Sequence, residues 1–333
     1  MRKGIKIAFA VVFTALSVSL MAQQQSLNAN YLLNNYAYNP AVVGSKPYVQ
    51  ANMYYRDQWT GFDGAPRTYM LSLHGPLKKA KNVGIGGMIV ADQTGLIGSN
   101  TGYLTFAYHV KMNKKLRLGF GLSAGVKQYK VKLYDVKAYD QGDTYLTGTT
   151  LNANVFDSNG GIYLYGERFF MGFSCMNMLN NKITWKNSTG RLIPHYYAVI
   201  GYNFKLGKDF AAQPSVMYKY TDPVPFQMEY NLKLTYRDMV WIGGNYRDRD
   251  GIAFLFGVTV IKKLNIAYAY DYSLTTIKKY NQGSHEISLN YNFIKKKPPV
   301  NPDEDEFNIK DNSVKQSIKT KKAAPEENKS EPK

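Results

Sequence analysis

The chain has one cysteine, Cys175, in 333 residues. No intrachain disulfide can form, which excludes a small secreted domain held by bridges. Histidine is nearly as scarce: His74, His109, His195 and His285 are scattered, at no spacing that serves a metal or a nucleophile. After the N-terminal stretch no apolar run approaches the ~18 residues of a spanning helix. The longest, GIAFLFGVTVI (Gly251–Ile261), is broken by two glycines. No segment shows the 3.6-residue apolar period of an amphipathic helix. Acidic residues are the minority, 24 Asp and Glu against 42 Lys and Arg, for a net charge of +18. Such a surplus would suit nucleic acid, but no nucleic-acid motif is present. Anionic lipid phosphates or acidic proteins are the expected partners. The G-x-G pattern at Gly119–Phe120–Gly121 falls inside a strand-like stretch, so it reads as small inward-facing residues and not as a phosphate loop. The chain reads as a non-enzyme with no metal and no cofactor.

Both ends stand apart. Residues 1–22 carry Arg2, Lys3 and Lys6 ahead of an apolar stretch, Ile7–Leu20, and end at Ala22. That is the composition of a cleaved secretory signal peptide, although Leu20 sits where a small residue is usual. Residues 295–333 are charged, Pro-bearing and almost free of aromatics, and are expected to form a disordered periplasmic tail. Between them, 23–46 is expected to be a periplasmic N-terminal segment, rich in tyrosine (Tyr31, Tyr36, Tyr38), that folds into or across the barrel mouth as a plug. Residues 47–294 are the expected barrel.

What fills that barrel is alternation. In PFQMEYNLKLTYRD, Phe226, Met228, Tyr230, Leu232, Leu234 and Tyr236 alternate with Gln227, Glu229, Asn231, Lys233, Thr235 and Arg237. This is the period of a strand with one apolar and one wet face. The pattern recurs about fourteen times, starting near residues 47, 67, 82, 101, 115, 160, 168, 194, 210, 225, 239, 251, 263 and 284. A soluble β-sandwich or propeller explains alternation equally well. Lipid is favoured by tyrosines near the ends of the apolar rows, such as Tyr55, Tyr236 and Tyr272, where an aromatic girdle meets headgroups. Mean hydropathy is only −0.36, leaving little apolar surplus for a second packed layer. The last strand, HEISLNYNF, ends on Phe293, like the sorting signal of outer-membrane proteins. The fold class expected is an all-β, transmembrane outer-membrane β-barrel of about 14 antiparallel strands.

The links HGPLKKAKN, KMNKK, YGER, KLGKD and VIKKL are brief. Those at ADQTGLIGSN, Val131–Asn154 and NMLNNKITWKNSTGRLIP are longer. Short periplasmic turns and longer extracellular loops follow the barrel plan, with both termini periplasmic. Lys78, Lys79, Lys81, Lys111, Lys114, Lys115, Lys208, Lys262 and Lys263 then fall in the short turns, as a basic surface able to dock acidic periplasmic partners or simply to hold lipid phosphates.

Four stretches are distinctive: NNYAYNPAVVGS (Asn34–Ser45), YRDQWTGFDGAPRT (Tyr55–Thr68), GGNYRDRDGIAF (Gly243–Phe254) and AYAYDYS…NQGSHEISL (Ala267–Leu289). Together they resemble the PorP/SprF family of outer-membrane proteins of type IX secretion and gliding motility in Bacteroidetes, over about Gln23–Phe293. The residues that carry the resemblance are Asn39 and Pro40; Arg56, Gln58, Trp59, Gly61, Phe62, Gly64 and Pro66; and Arg247, Tyr270, Asp271, Tyr272, Gly283, His285 and Glu286. The resemblance implies export or surface anchoring of cargo proteins, with contacts to the periplasmic ring and peptidoglycan-linked subunits. Read physically, Gly61 and Gly64 allow tight turns, Trp59 suits an interface, and Arg56 points inward for a carboxylate or for a partner at the rim. Asp271 faces the lumen within reach of Arg237 or Arg247, and the sequence does not choose. His285 and Glu286 point to opposite faces, against a catalytic pair. The rival reading is a diffusion porin for small anionic solutes, with Lys127, Lys233 and Arg237 lining the pore.

Overall fold

The computed structural model describes residues 31, 34–132, 150–185, 189–261 and 263–293. The signal peptide, most of 23–33, the tail and Lys262 lie outside the described residues. The barrel strands are β1 (Val49–Asp57), β2 (Arg67–Pro76), β3 (Val83–Thr94), β4 (Ile97–Lys111), β5 (Leu116–Lys132), β6 (Thr150–Gly166) and β7 (Phe169–Met176). The second half comprises β8 (His195–Tyr202, continued by Phe204–Leu206), β9 (Phe210–Thr221), β10 (Val224–Tyr236), β11 (Val240–Arg247), β12 (Gly251–Val260), β13 (Leu264–Ser273) and β14 (Ser284–Phe293). Each pairs antiparallel with its sequence neighbour, and β1 pairs with β14 from Val49↔Phe293 to Asp57↔His285. The result is a closed 14-strand barrel. Hydrocarbon offers backbone groups no partner, so closure is what lets such a sheet cross a bilayer. No helix among the described residues is long and apolar enough to cross a membrane.

The alternation sorts onto the two faces. In β10, Phe226, Tyr230, Leu232, Leu234 and Tyr236 are exposed outside, while Glu229 and Asn231 are buried inside. In β4, Leu104, Phe106 and Tyr108 face out and Thr101, Tyr103, Thr105 and His109 face in. A soluble sandwich would bury the apolar rows against each other; here they form an exposed belt around the barrel.

Three expectations need correction. ADQTGLIGSN is not a loop: β3 and β4 stay paired through Asp92↔Ser99 and Thr94↔Ile97, leaving a turn at 95–96. β6 starts at Thr150, ten residues earlier than the apolar pattern indicated, and pairs with β5 throughout. Both errors share a cause: these strands run past the bilayer, where both faces are wet and polar residues no longer signal a loop. The outer connections at 222–223 and 248–250 are also as tight as the periplasmic ones.

The outer belt is a solvation requirement, so a charge there is costly. Leu104→Arg, at an outward position 77% exposed midway along β4, should destabilise the bilayer-inserted fold by ~2–4 kcal/mol. Phe62→Arg, in the outer loop, should change it by less than about 0.5 kcal/mol. Urea unfolding in lipid vesicles reads both.

Candidate functional site: a lumen holding an N-terminal strap

The inner wall of β3 to β7 carries glycine where alternation calls for a side chain. A Cβ at Gly121 would collide with the backbone of Pro40 and Ala41, one at Gly84 with the Val43 carbonyl, and ones at Gly161 and Gly172 with the Asn39 amide. These glycines form a floor on which Asn34–Ser45 lies as a strap inside the barrel. Two short 3₁₀ turns, Asn35–Ala37 and Pro40–Val42, shape it, and the Asn39 side chain accepts from the Ala41 N–H at 2.9 Å to start the second.

The strap is tied by polar bonds. Tyr36 shares a hydrogen bond with Thr105 Oγ1 at 2.7 Å, and Asn39 Nδ2 donates to the carbonyls of Ile162 (3.0 Å) and Phe173 (3.4 Å). Ser174 donates to the Tyr38 carbonyl at 2.5 Å, and Tyr31 meets Ser215 Oγ at 2.6 Å. His109 Nε2 lies 2.8 Å from the Val43 carbonyl while Tyr165 meets its Nδ1 at 3.1 Å, a pairing that suits a neutral ring donating from Nε2. His74 packs against Tyr36 with ring centroids 4.9 Å apart. Burial pushes the Tyr36 phenol up to about 12, so it remains a neutral hydrogen-bonding group.

Near the outer mouth the lumen is crossed by ion pairs. Arg56 in β1 bonds Glu286, its direct neighbour across the β1–β14 seam, and reaches Asp271 Oδ2 in β13 at 3.2 Å. Arg247 takes the other oxygen of Asp271 at 2.5 Å and Asp250 at 2.6 Å. Asp271 thus joins two arginines, and Arg247, not Arg237, is its partner. Arg237 is not in the lumen: it has a positive φ of 49° in the turn after β10, is exposed, and pairs with Asp209 at 3.0 Å. Lys219 pairs with Glu229, and Lys127 lies 3.5 Å from Asp157 and 2.5 Å from Asn177 Oδ1. Lys233 lies over the Trp241 ring at 4.5 Å. The three cations expected to line an anion path are therefore paired, covered or outside.

A second closure sits at the outer end. The connection after β7 folds back as a hairpin, Lys182–Thr184 paired with Thr189–Arg191, so that Ile183 and Leu192 pack on the inner faces of Ala153 and Val155. Asn177 roots it, receiving the Lys127 ammonium and donating to the Ile193 carbonyl at 3.1 Å. Nothing in the sequence pattern announced this fold-back.

The distinctive stretches converge. The Thr60 N–H donates to the Gly283 carbonyl and the Gln282 N–H to the Thr60 carbonyl, both at 2.8 Å, so the loop after β1 and the loop before β14 form one outer platform. Gly95 N–H joins it through the Gly64 carbonyl at 2.8 Å. Trp59, Gly61, Gly64 and Gly283 all have positive φ, while Gln58 and Pro66 close the loop base through Gln58 N–H to Pro66 O at 2.9 Å and Phe62 is exposed. His285 faces outward, 2.6 Å from the Tyr268 hydroxyl and edge-on to Tyr270, whereas Glu286 is fully buried inside. Tyr272 is exposed on the outer face. Asn39 and Pro40 lie in the strap. At the opposite end Lys78, Lys79, Lys81, Lys111, Lys114, Lys115 and Lys208 are exposed in the turns and Lys263 is half-buried. Among the described residues there is no cluster of three metal-ligating side chains.

A closed barrel with an apolar outer belt and a lumen holding its own N-terminal strap defines a β-barrel membrane protein. The sequence matches the family described as type IX secretion system membrane protein PorP/SprF over residues 20–291, and the chain belongs to that family. It is a protein of the outer membrane. None of the curated proteins compared with it matches. Solved barrels resemble it: the toluene transporter TbuX of Ralstonia pickettii (TM-score 0.47, 12% identity, 78% of this chain and 93% of that one); the CymD monoaromatic hydrocarbon channel (0.45, 12%, 79% and 93%); and a FadL homologue of Pseudomonas aeruginosa (0.45, 11%, 78% and 94%).

The seam network makes a sharp prediction. Arg56→Leu leaves Glu286 and Asp271 buried with one cation fewer and should cost ~3–5 kcal/mol. Arg56→Lys should rescue only part, because an ammonium lacks the planar fork that bridges two carboxylates. The urea midpoint and the heat-modifiable gel shift of the barrel check this.

Proposed function

We propose that this protein is a non-enzymatic component of the type IX secretion machinery that supports export or surface anchoring of cargo and docks periplasmic subunits. The observation that carries the docking part is the separation of charge: lumen cations are engaged by carboxylates or an aromatic ring, while lysine after lysine stands exposed on the periplasmic turns. A basic rim in one compartment suits acidic faces of ring or peptidoglycan-linked subunits, drawn in by long-range attraction. Replacing Lys78, Lys79, Lys114 and Lys115 together by Gln should cut recovery of those subunits in pull-downs several-fold, and rising salt should have the same effect on the parent protein. Unchanged recovery defeats the docking role.

The strap supports a scaffold over a porin. With Asn34–Ser45 seated on the glycine floor and the outer hairpin folded inward, purified protein in liposomes should neither swell them in small sugars nor conduct in large steps. Gly121→Val, whose side chain occupies the space of Pro40 and Ala41, should unseat the strap and raise conductance. Wide-pore currents from the parent protein would instead establish the diffusion porin.

A further inference from the structure

The end of the barrel where β1 begins and β14 finishes is electrically lopsided. Its acidic side chains among the described residues, Glu167, Asp209 and Asp238, lie in the turns after β6, β8 and β10. Two of them are already engaged, Glu167 by Lys205 at 2.9 Å and Asp209 by Arg237 at 3.0 Å. The arc from β1 to β5 has no acidic residue: the turns at 77–82 and 112–115 read LKKAKN and MNKK, and the strap leads into β1 through Lys46. Lys46, Lys78, Lys79, Lys81, Lys114 and Lys115 are all exposed. Like charges this dense repel one another and draw in anions.

The chain leaves the barrel beside that arc. Phe293, the last described residue, stands opposite Val49 of β1, and β1 pairs with β2, which runs into the 77–82 turn. On the other flank the Asn292 N–H donates to the Lys263 carbonyl at 2.8 Å, so a further basic turn adjoins the exit. From Ile294 the sequence reads IKKKPPVNPDEDEF, with four consecutive acidic residues at Asp303–Glu306. No other run of acidic residues in the chain exceeds two.

Reach and stiffness both fit. Asp303 lies ten residues beyond Phe293, with Pro298, Pro299 and Pro302 between them. At ~3.1 Å per residue for a proline-rich linker, the acidic run reaches about 30 Å from the exit. Strands stand ~4.8 Å apart, which puts the 77–82 turn about 10–15 Å from the exit and the 112–115 turn about 20–25 Å. The prolines also hold the run off Lys295–Lys297, the nearest cations of its own segment. A single exposed ion pair is weak. The tether, however, keeps the run at an effective concentration on the order of millimolar beside the arc, so several weak pairs suffice.

We propose that Asp303–Glu306 docks across the 77–82 and 112–115 turns and covers this basic arc from within the same chain. An acidic partner then has to displace it. That competition rests on the docking reading above; occupancy of the arc does not, and it is measured without any subunit.

The test treats the purified full chain, in uncharged detergent micelles, with a carbodiimide that joins a carboxylate to an amine in contact with it. Peptide mapping should find Asp303–Glu306 linked to Lys78, Lys79, Lys81, Lys114 or Lys115. The yield should fall several-fold in high salt, and links to Lys208, on the far arc, should be several-fold rarer. Links confined to the tail's own Lys310 and Lys315, or equally frequent to Lys208, overturn the proposal. So do links found only between chains when normal and isotopically heavy protein are mixed, which would assign the arc to a second copy. Loss of the links in bilayer discs of anionic lipid would assign the arc to lipid phosphates and overturns it too. In pull-downs, the variant Asp303→Asn/Glu304→Gln/Asp305→Asn/Glu306→Gln should recover acidic subunits several-fold better than the parent. Links to the arc with no subunit recovered by either protein would remove the docking reading and leave the occupied arc standing.

Discussion

Everything in this molecule depends on pairing β1 with β14. A sheet in hydrocarbon cannot leave an edge, because each unpaired N–H and C=O there costs several kcal/mol. The seam is specified twice. The apolar rows set the register, since a one-residue slip would turn Met53 and Leu289 inward and Asn52 and Asn290 toward lipid. The Arg56–Glu286 pair then fixes the same register from inside, in a buried setting where only a matched partner is tolerated. Asp271 extends that bond across β13 to Arg247, so the first strand is braced against the eleventh through one carboxylate.

The lumen follows from a second constraint. A wide barrel with a polar inner face must be filled by something. This one is filled partly by its own chain, and the filling is encoded as absence: glycines on the inner rows of β3, β5, β6 and β7 remove the side chains that would compete with the strap. Neutral hydrogen-bond partners hold it, chiefly Tyr, Asn, Ser and His, and Asn34–Ser45 carries no charged side chain. A segment fixed this way is shaped by fit and directional bonds, so it is little affected by salt.

The strand plan was legible in the sequence because lipid on one side and polar groups on the other enforce a period of two over most of each strand. It failed where that asymmetry ends. In β3, β4 and β6 the chain leaves the bilayer, Gln93, Ser99, Asn152 and Asn154 are acceptable on either face, and the ladder continues unseen. The ion-pair carriers Arg56, Asp271 and Glu286 were readable as inward residues, but their pairing was not, because it depends on which strands meet across the seam. Arg237 misled for a local reason: alternation was extended one residue past the strand, into a turn. The strap was hinted at by its tyrosines, and the G-x-G spacing was the other half of that signal, recognised as inward small residues without the partner they make room for.

One feature bears on the order of assembly. The glycine floor belongs to β3 through β7, and the strap precedes β1, so both lie on the N-terminal side of β8. A half-made sheet ending at β7 already holds the sites for Tyr36, Asn39 and Val43; of the strap bonds described, only that of Tyr31 waits for β9. The chain thus carries, ahead of closure, a ready cover for the inner face of its first hairpins, and the last strands can close around an interior that is already occupied.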